Sequence, residues 1–317
     1  MRFTSSILAS AALLATANAA HRGFNYGAQF NNDAPKKLVD FEYEFNAAKQ
    51  LPGTDGWTSA RLYTMIQHGT SNQVIEAIEA AINTKTTLLL GMWASAGDAS
   101  FNNEVGALKA AIKKYGTKFT DLVVGISVGS EDLYRDSQRG VPGENPGAAP
   151  SQLVKYIKQT RDAIRGTALE HVGIGHVDTW QVYLNGTTKS VVDALDWVGM
   201  DAYPYFQKAQ ENSVEGSTQL FFDAYDQTCS AVGKPVWVTE TGWPVTGETN
   251  GKAVPSAKNA RIFWEDVVCP LVRDDINLYY YLLQDVQYGN PSPSFGIKPA
   301  GDLQTVKPLY DLSCPRK

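Results

Sequence analysis

Residues Val123–Tyr134 read VVGISVGSEDLY, and two folds compete for them. Gly125-Ile126-Ser127-Val128-Gly129 fits G-x-S-x-G, the sharp strand-to-helix turn that presents a serine at the top of an α/β sheet. Such a turn needs Ser127 at the end of its strand and a histidine supplied later in the chain. Val128 instead continues the apolar run, and only His171 and His176 follow, both around the next strand-like run. The competing reading is a strand of a closed barrel, with small residues lining a tight interior. Side chains alternate across a strand, so Gly125, Ser127, Gly129 and Glu131 are expected on the inner face. Val124, Ile126 and Val128 then face surrounding helices, and Glu131 points inward at the C-terminal rim.

Outward from this stretch, seven more short apolar or β-branched runs alternate with segments of helical period. They are RGFNYGAQ, SARLYTM, TTLLLGMWA, HVGIGHV, LDWVGMDAY, PVWVTETG and NLYYYLLQDV. Helix-like stretches fall at Pro35–Gln50, Ser71–Asn83, Asn102–Tyr115, Ser151–Gly166, Thr188–Ala194, Ser217–Val232 and Ser256–Val272. Ser71, with Asn72 and Glu76 behind it, reads as an N-terminal cap region, and Gly116 as a C-terminal stop. Eight strands alternating with helices predict parallel βαβ units and, by their number, a single (β/α)8 TIM barrel. A doubly wound sheet is the runner-up, but no glycine-rich phosphate turn follows any strand. The composition of Gly143–Pro150 (GENPGAAP) resembles a linker, yet the alternation resumes at once, so it reads as a long loop.

The chain has 317 residues, 43% hydrophobic, enough for one large core. A formal charge of −5 gives no electrostatic reason to expect nucleic acid or an anionic membrane as partner. The opening MRFTSSILASAALLATANAA has the basic, apolar and small-residue regions of a secretory signal, read as residues 1–19. Residues 20–317 then form one domain, expected to be secreted and monomeric, and no C-terminal apolar tail suggests a lipid anchor. The three cysteines in an oxidising compartment suggest one disulfide and one free thiol. Cys269–Cys314 is favoured because the tail returns past the last helix, while Cys229–Cys269 competes through neighbouring helices; both remain open. Asn185-Gly186-Thr187 is an N-glycosylation sequon. No spacing implies a metal, and no cofactor is expected.

The same alternation, counted along PVWVTETGWP, places Glu240 in phase with Val236 and Val238, inward at the rim of the seventh strand. Two carboxylates thus converge on one barrel mouth, where barrel active sites lie. Paired carboxylates suit cleavage of a glycosidic bond, one protonating the leaving oxygen while the other attacks or activates water.

VGSED and VTETGWP resemble the acid/base and nucleophile motifs of glycoside hydrolase family 17, in its fungal cell-wall branch of glucan 1,3-β-glucosidases and 1,3-β-glucanosyltransferases. The resemblance runs through GFNYG, ARLYT, MDAYPYF, SAKNARIFWEDVV and YYYLLQDV. It implies Glu131 as acid/base, Glu240 as nucleophile, retention by double displacement, and β-1,3-glucan as substrate. Many relatives carry Asn before the acid, where it can bind the sugar 2-hydroxyl; this chain departs from them with Ser130, a substrate-binding candidate of shorter reach. Tyr26, Arg61, Tyr63, Asp201, Tyr203, Trp243 and Asp285 are further rim candidates, with Arg61 placed to pair with Glu240 and Trp243 to stack a glucose ring. The expected activity is glucanosyl transfer in the cell wall. Hydrolysis is the alternative, and a non-catalytic glucan-binding wall protein is a more distant one.

Overall fold

The computed structural model describes residues 19–54, 56–137, 147–285 and 291–315. Residues 1–18 of the stretch read as a secretory signal (residues 1–19), and residues 143–146 of the glycine- and proline-rich loop, lie outside the described residues. Eight parallel strands close into a barrel in sequence order. They are β1 (Arg22–Tyr26), β2 (Ser59–Leu62), β3 (Thr87–Met92), β4 (Val123–Ser130), β5 (Ile174–Thr179), β6 (Trp197–Asp201), β7 (Val236–Glu240) and β8 (Leu278–Tyr280). The connections carry α1 (Leu38–Gln50), α2 (Ala77–Thr84), α3 (Gly97–Tyr115), α4 (Thr117–Thr120), α5 (Asp132–Asp136), α6 (Pro150–Ile164), α7 (Trp180–Tyr183), α8 (Lys189–Ala194) and α9 (Val214–Val232). A π-helical turn at Trp264–Val268 joins α10 (Ala257–Phe263) to α11 (Cys269–Arg273). This is the (β/α)8 barrel that the alternation predicts. Among the described residues no helix is long and apolar enough to cross a membrane.

Local chemistry sets the helix ends. Asp40 accepts from the Lys37 amide at the start of α1, and Ser213 and Ser256 accept from the third amide of α9 and α10. Ser71 caps nothing: α2 begins at Ala77, and the preceding residues instead form a bridge between Ile66 and Val74. Gly116 ends α3 as expected.

The core has two layers. Phe41 and Phe45 of α1, Phe101 and Leu108 of α3 and Phe221 of α9 pack against the outward residues of the strands, among them Ile126, Val128, Val198 and Val238. Inside the barrel Leu89, Val177, Trp197 and Tyr279 form a separate plug, completed by Val124 and Trp237. Trp197 stacks on Trp237 with ring centroids 4.3 Å apart. Indoles fit there because the facing positions are glycine: a Cβ on Gly175 would sit 2.4 Å from Trp197, and one on Gly125 3.2 Å from Trp237.

Strict alternation fails at three places, each a β-bulge in which one strand carries an extra residue. Val124 is extra between β3 and β4, so it joins the inner plug instead of facing the helices. Between Ser127 and Ser130 three steps of β4 oppose two of β5, which turns Gly129 away from the lumen toward Asp132 and His176. Ser127 is buried and donates to the Gly129 carbonyl 2.9 Å away, which leaves nothing of the serine reading. Val236 and Val238 of β7 face the helices, and Thr239 is the extra residue that swings Glu240 back to the mouth.

A disulfide joins Cys269 to Cys314 across 45 residues, and Cys229 is free. Loop closure of that length is worth about 2–4 kcal/mol in the unfolded chain. Replacing Cys269 and Cys314 with alanine should therefore lower the unfolding free energy by that amount in chemical denaturation, with the active face unchanged.

Candidate active site

At the C-terminal mouth, Glu240 ends β7 with both carboxylate oxygens occupied. Arg61 donates to Oε1 at 2.5 Å, Tyr63 to Oε1 at 2.6 Å, and Tyr203 to Oε2 at 2.7 Å. Burial, and then the charge of Glu240, hold both tyrosine hydroxyls well above their ordinary range, so they remain donors. Burial works against the charge of Arg61, but Tyr63, Glu240 and Asp201 outweigh it and the guanidinium is held more firmly protonated. An ionised carboxylate, which accepts only, is the partner that all three donors require.

Arg61 is itself fixed from several sides. Its Nη1 donates to Asn25 Oδ1 at 2.7 Å, its Nη2 to Ser130 Oγ at 3.0 Å, and its plane lies 4.6 Å from the Tyr63 ring centroid. Asn25, which sequence reasoning passed over, in turn donates to the carbonyls of Thr239 and Tyr279. A buried ion pair is weak evidence for stability, because desolvating both charges cancels much of their attraction. Its use here is positional: one side chain ties β1, β2, β4 and β7 to the carboxylate.

Glu131 follows β4 directly and has a left-handed backbone, φ 56° and ψ 29°, a conformation costly for any residue but glycine. The turn delivers its partly exposed carboxyl to the same mouth. Burial, reinforced by the charges of Glu240 and Asp178, pushes its pKa up to about 7, against the opposing influence of Arg135 and Arg61. Arg135, four residues on, lies 3.4 Å from Glu131 Oε2, donates to the Ser130 carbonyl and covers the Trp93 ring. The two glutamates thus sit in opposite environments, one beset by donors and one by burial and negative charge, the arrangement that separates acid from base.

Of the other candidates, Tyr63 and Tyr203 join Glu240 in lining a cavity of about 480 Å³ with Phe206, Tyr281, Phe295 and Asp285. Ser130 is buried beside this group and accepts from Arg61. Asp201 is 2% exposed and accepts from Thr239 at 2.6 Å, so it forms floor beneath Glu240 rather than rim. Burial and then Glu240 hold its carboxyl well above the usual range. Asp285 accepts from Ser294 and from the Phe295 and Gly296 amides, which fixes the loop carrying Phe295. Two candidates are misplaced. Tyr26 faces the helices, its ring edge-on to Phe45 at 4.9 Å. Trp243 is 0% exposed, donates to the Val254 carbonyl and packs on Phe263, so no sugar can stack on it. The exposed aromatic at the mouth is Phe206, 53% accessible, the last residue of the YPYF stretch. Asn185 is exposed, its side chain accepting from the Thr187 amide.

A family profile described as the BtgE/BtgC glycoside hydrolase domain matches residues 23–294, which carry both glutamates and every strand from the second residue of β1. The chain belongs to this family. As a BtgE/BtgC-type domain it is 52% identical over 310 residues to a protein of Aspergillus oryzae named probable glucan endo-1,3-β-glucosidase eglC. That alignment covers 97% of this chain and 66% of the relative, so the chain spans about two thirds of the curated relatives' length. Among solved structures the domain superposes with a TM-score of 0.72 on a family 17 β-1,3-glucanosyltransferase from Rhizomucor miehei. That pair shares 26% identity, with 91% of this chain and 98% of the other covered. An active-site mutant of the Rhizomucor enzyme, solved with laminaritriose, matches at a TM-score of 0.71 and 25% identity over 91% and 98% of the two chains.

Proposed function

We propose that this domain is a retaining glycosidase of β-1,3-glucan that transfers the cleaved unit to a second glucan chain, with Glu240 as nucleophile and Glu131 as acid/base. The observation that carries the reading is the contrast between the two carboxyls, one gripped by Arg61, Tyr63 and Tyr203 and the other raised to about 7. In the first step a Glu240 oxygen bonds to the anomeric carbon, the glycosidic bond breaks, and the Glu131 proton passes to the leaving oxygen. In the second, an acceptor hydroxyl attacks the same carbon, Glu131 takes its proton, and the Glu240 ester is released. Esterification removes the charge of Glu240, one of the causes that hold the Glu131 proton, so the same side chain is readied as a base. The glucan substrate is supported by the names of the relatives: a probable glucan endo-1,3-β-glucosidase, a β-1,3-glucanosyltransferase and a laminaritriose complex.

Transfer competes with hydrolysis according to how well an acceptor is held on the acid/base side. A larger cavity, about 1080 Å³, borders α5, the short helix after Glu131, and is lined by Tyr134, Trp180 and Leu184. Incubation with reduced laminari-oligosaccharides tests the reading, since products longer than the donor cannot arise by hydrolysis. Trp180→Ala should lower the transfer-to-hydrolysis ratio roughly 2- to 10-fold, the worth of one ring stack, while total donor consumption stays near native. Shorter products alone from the native protein would make it a hydrolytic glucanase. A secreted, wall-associated setting fits the Cys269–Cys314 disulfide and the leader-like N-terminal residues.

A further inference from the structure

Behind Glu131, on the helix side of β5, lies a buried group that this mechanism does not use. His176, Asp178 and Asp132 are each 0% exposed. His176 Nδ1 lies 2.7 Å from the Val128 carbonyl, an acceptor only, so Nδ1 carries a proton. Its Nε2 lies 3.0 Å from Asp178 Oδ2. Asp178 already accepts the Leu133 and Tyr134 amides at Oδ2 and the Thr179 amide at Oδ1. A carboxylate so surrounded by N–H donors takes a further proton on the imidazole side, giving an imidazolium–carboxylate pair.

Most of the bonds that this group makes beyond itself end on the turn that delivers the acid/base. Val128 is in the β4 bulge, and Leu133 and Tyr134 open α5 immediately past Glu131. Asp132 accepts the Ser130 amide at 2.7 Å and the Ser95 hydroxyl, and the Glu131 amide donates to Val177 between the two β5 residues. Gly129 has φ +84°, and a Cβ there would meet Asp132 Oδ2 at 2.1 Å and His176 Cε1 at 3.2 Å. The left-handed Glu131 is therefore over-determined from behind, as a strained functional residue must be.

We propose that the buried His176–Asp178 pair is the positioning unit for Glu131, clamping the turn that presents it. This inference rests on the glycosidase reading and deepens it. The charged groups that bear on Glu131 are Glu240 of β7, Asp178 of β5, Arg61 of β2 and Arg135 of α5. Those that bear on His176 are Asp178 and Asp132, whose pull outweighs burial and raises the imidazole. Asp178→Asn removes negative charge near Glu131, whereas His176→Gln leaves Asp178 without its cation. The two variants should therefore shift the alkaline limb of kcat/KM in opposite directions, the first to lower pH and the second to higher pH.

The deciding measurement compares two donors. On β-1,3-glucan, where the leaving oxygen needs a proton, both variants should lose about tenfold or more in kcat/KM, within the range a general acid supplies. On a dinitrophenyl β-laminaribioside, whose leaving group needs none, kcat/KM should stay within about twofold of native. Equal losses on both donors, or an unmoved limb in both variants, would overturn the pair's role while native activity upholds the glycosidase reading. Native protein inactive on both donors would overturn that reading and the inference with it. If Asp178→Asn fails to fold, ¹⁵N shifts of the native imidazoles decide: His176 doubly protonated at neutral pH supports the pair, and a neutral ring refutes it.

Discussion

Glu240→Gln is expected to turn over β-1,3-glucan on the order of 10⁴-fold or more slowly than the native protein, the scale on which loss of an essential nucleophile acts. The amide keeps the size and shape of the carboxylate. Its oxygen can still accept from Arg61 and Tyr63, and the Tyr203 hydroxyl can rotate to accept from the new NH₂. The fold and the cavity beside it are thus preserved, and laminaritriose should bind the variant with near-native affinity by calorimetry. A non-catalytic glucan-binding protein predicts something different, since its native form would bind equally well and turn over nothing. Unchanged activity in the variant would remove Glu240 from the chemistry.

The second large effect is expected at Glu131. As general acid it acts while protonated, and a carboxyl pushed up to about 7 by burial, Glu240 and Asp178 holds its proton below that pH. Native activity should therefore be present in mildly acidic solution and fall as pH rises through about 7. Glu131→Gln has no such proton to lose. Its kcat/KM on glucan should drop by about 10²–10⁴-fold and its alkaline limb should disappear. A pH–rate profile of both proteins checks this, and a limb that survives the substitution would assign the titration to another group.

How far the sequence is legible can be judged strand by strand. The barrel follows from eight apolar runs spaced by helices, and the two glutamates stand out because each closes such a run. The count of faces survives only in part: Gly125 faces inward and Ile126 and Val128 outward as alternation predicts, but other positions do not follow it. Alternation along β7 sets Glu240 beside Val238, yet Val238 faces the helices and only the extra Thr239 returns Glu240 to the mouth. In β4 the extra residue between Ser127 and Ser130 turns Gly129 outward and brings Ser130 to Arg61. A bulge is a choice between hydrogen-bond registers, decided by neighbouring strands hundreds of atoms away, and period-two counting is blind to it.

The aromatic candidates show the same limit from another side. Tyr26 looks like a rim residue because it ends a strand, and Trp243 like a sugar platform because it follows Glu240, but the outer layer claims both rings for Phe45 and Phe263. Phe206, Tyr281 and Phe295 line the mouth instead. Phe295 arrives on a segment well past β8, held by Asp285, and no periodicity near it announces its place. Asn25 and the His176–Asp178 pair are not legible in the sequence because Asn25 acts through Arg61 of β2, and the pair through Val128 of β4 and Leu133 of α5. Arg61 was legible because a cation on an inner face of a barrel demands an acid, and Glu240 was the acid on offer.

The central claim, that Glu240 attacks the anomeric carbon in a double displacement, is tested most directly by trapping the intermediate. A 2-deoxy-2-fluoro-laminaribiosyl donor with a good leaving group slows release of the ester more than its formation, and peptide mass spectrometry then locates the sugar. One glycosyl adduct on the peptide containing Glu240, absent from Glu240→Gln, is the result this account predicts. An adduct on another residue, or turnover with inversion and no adduct, would contradict it.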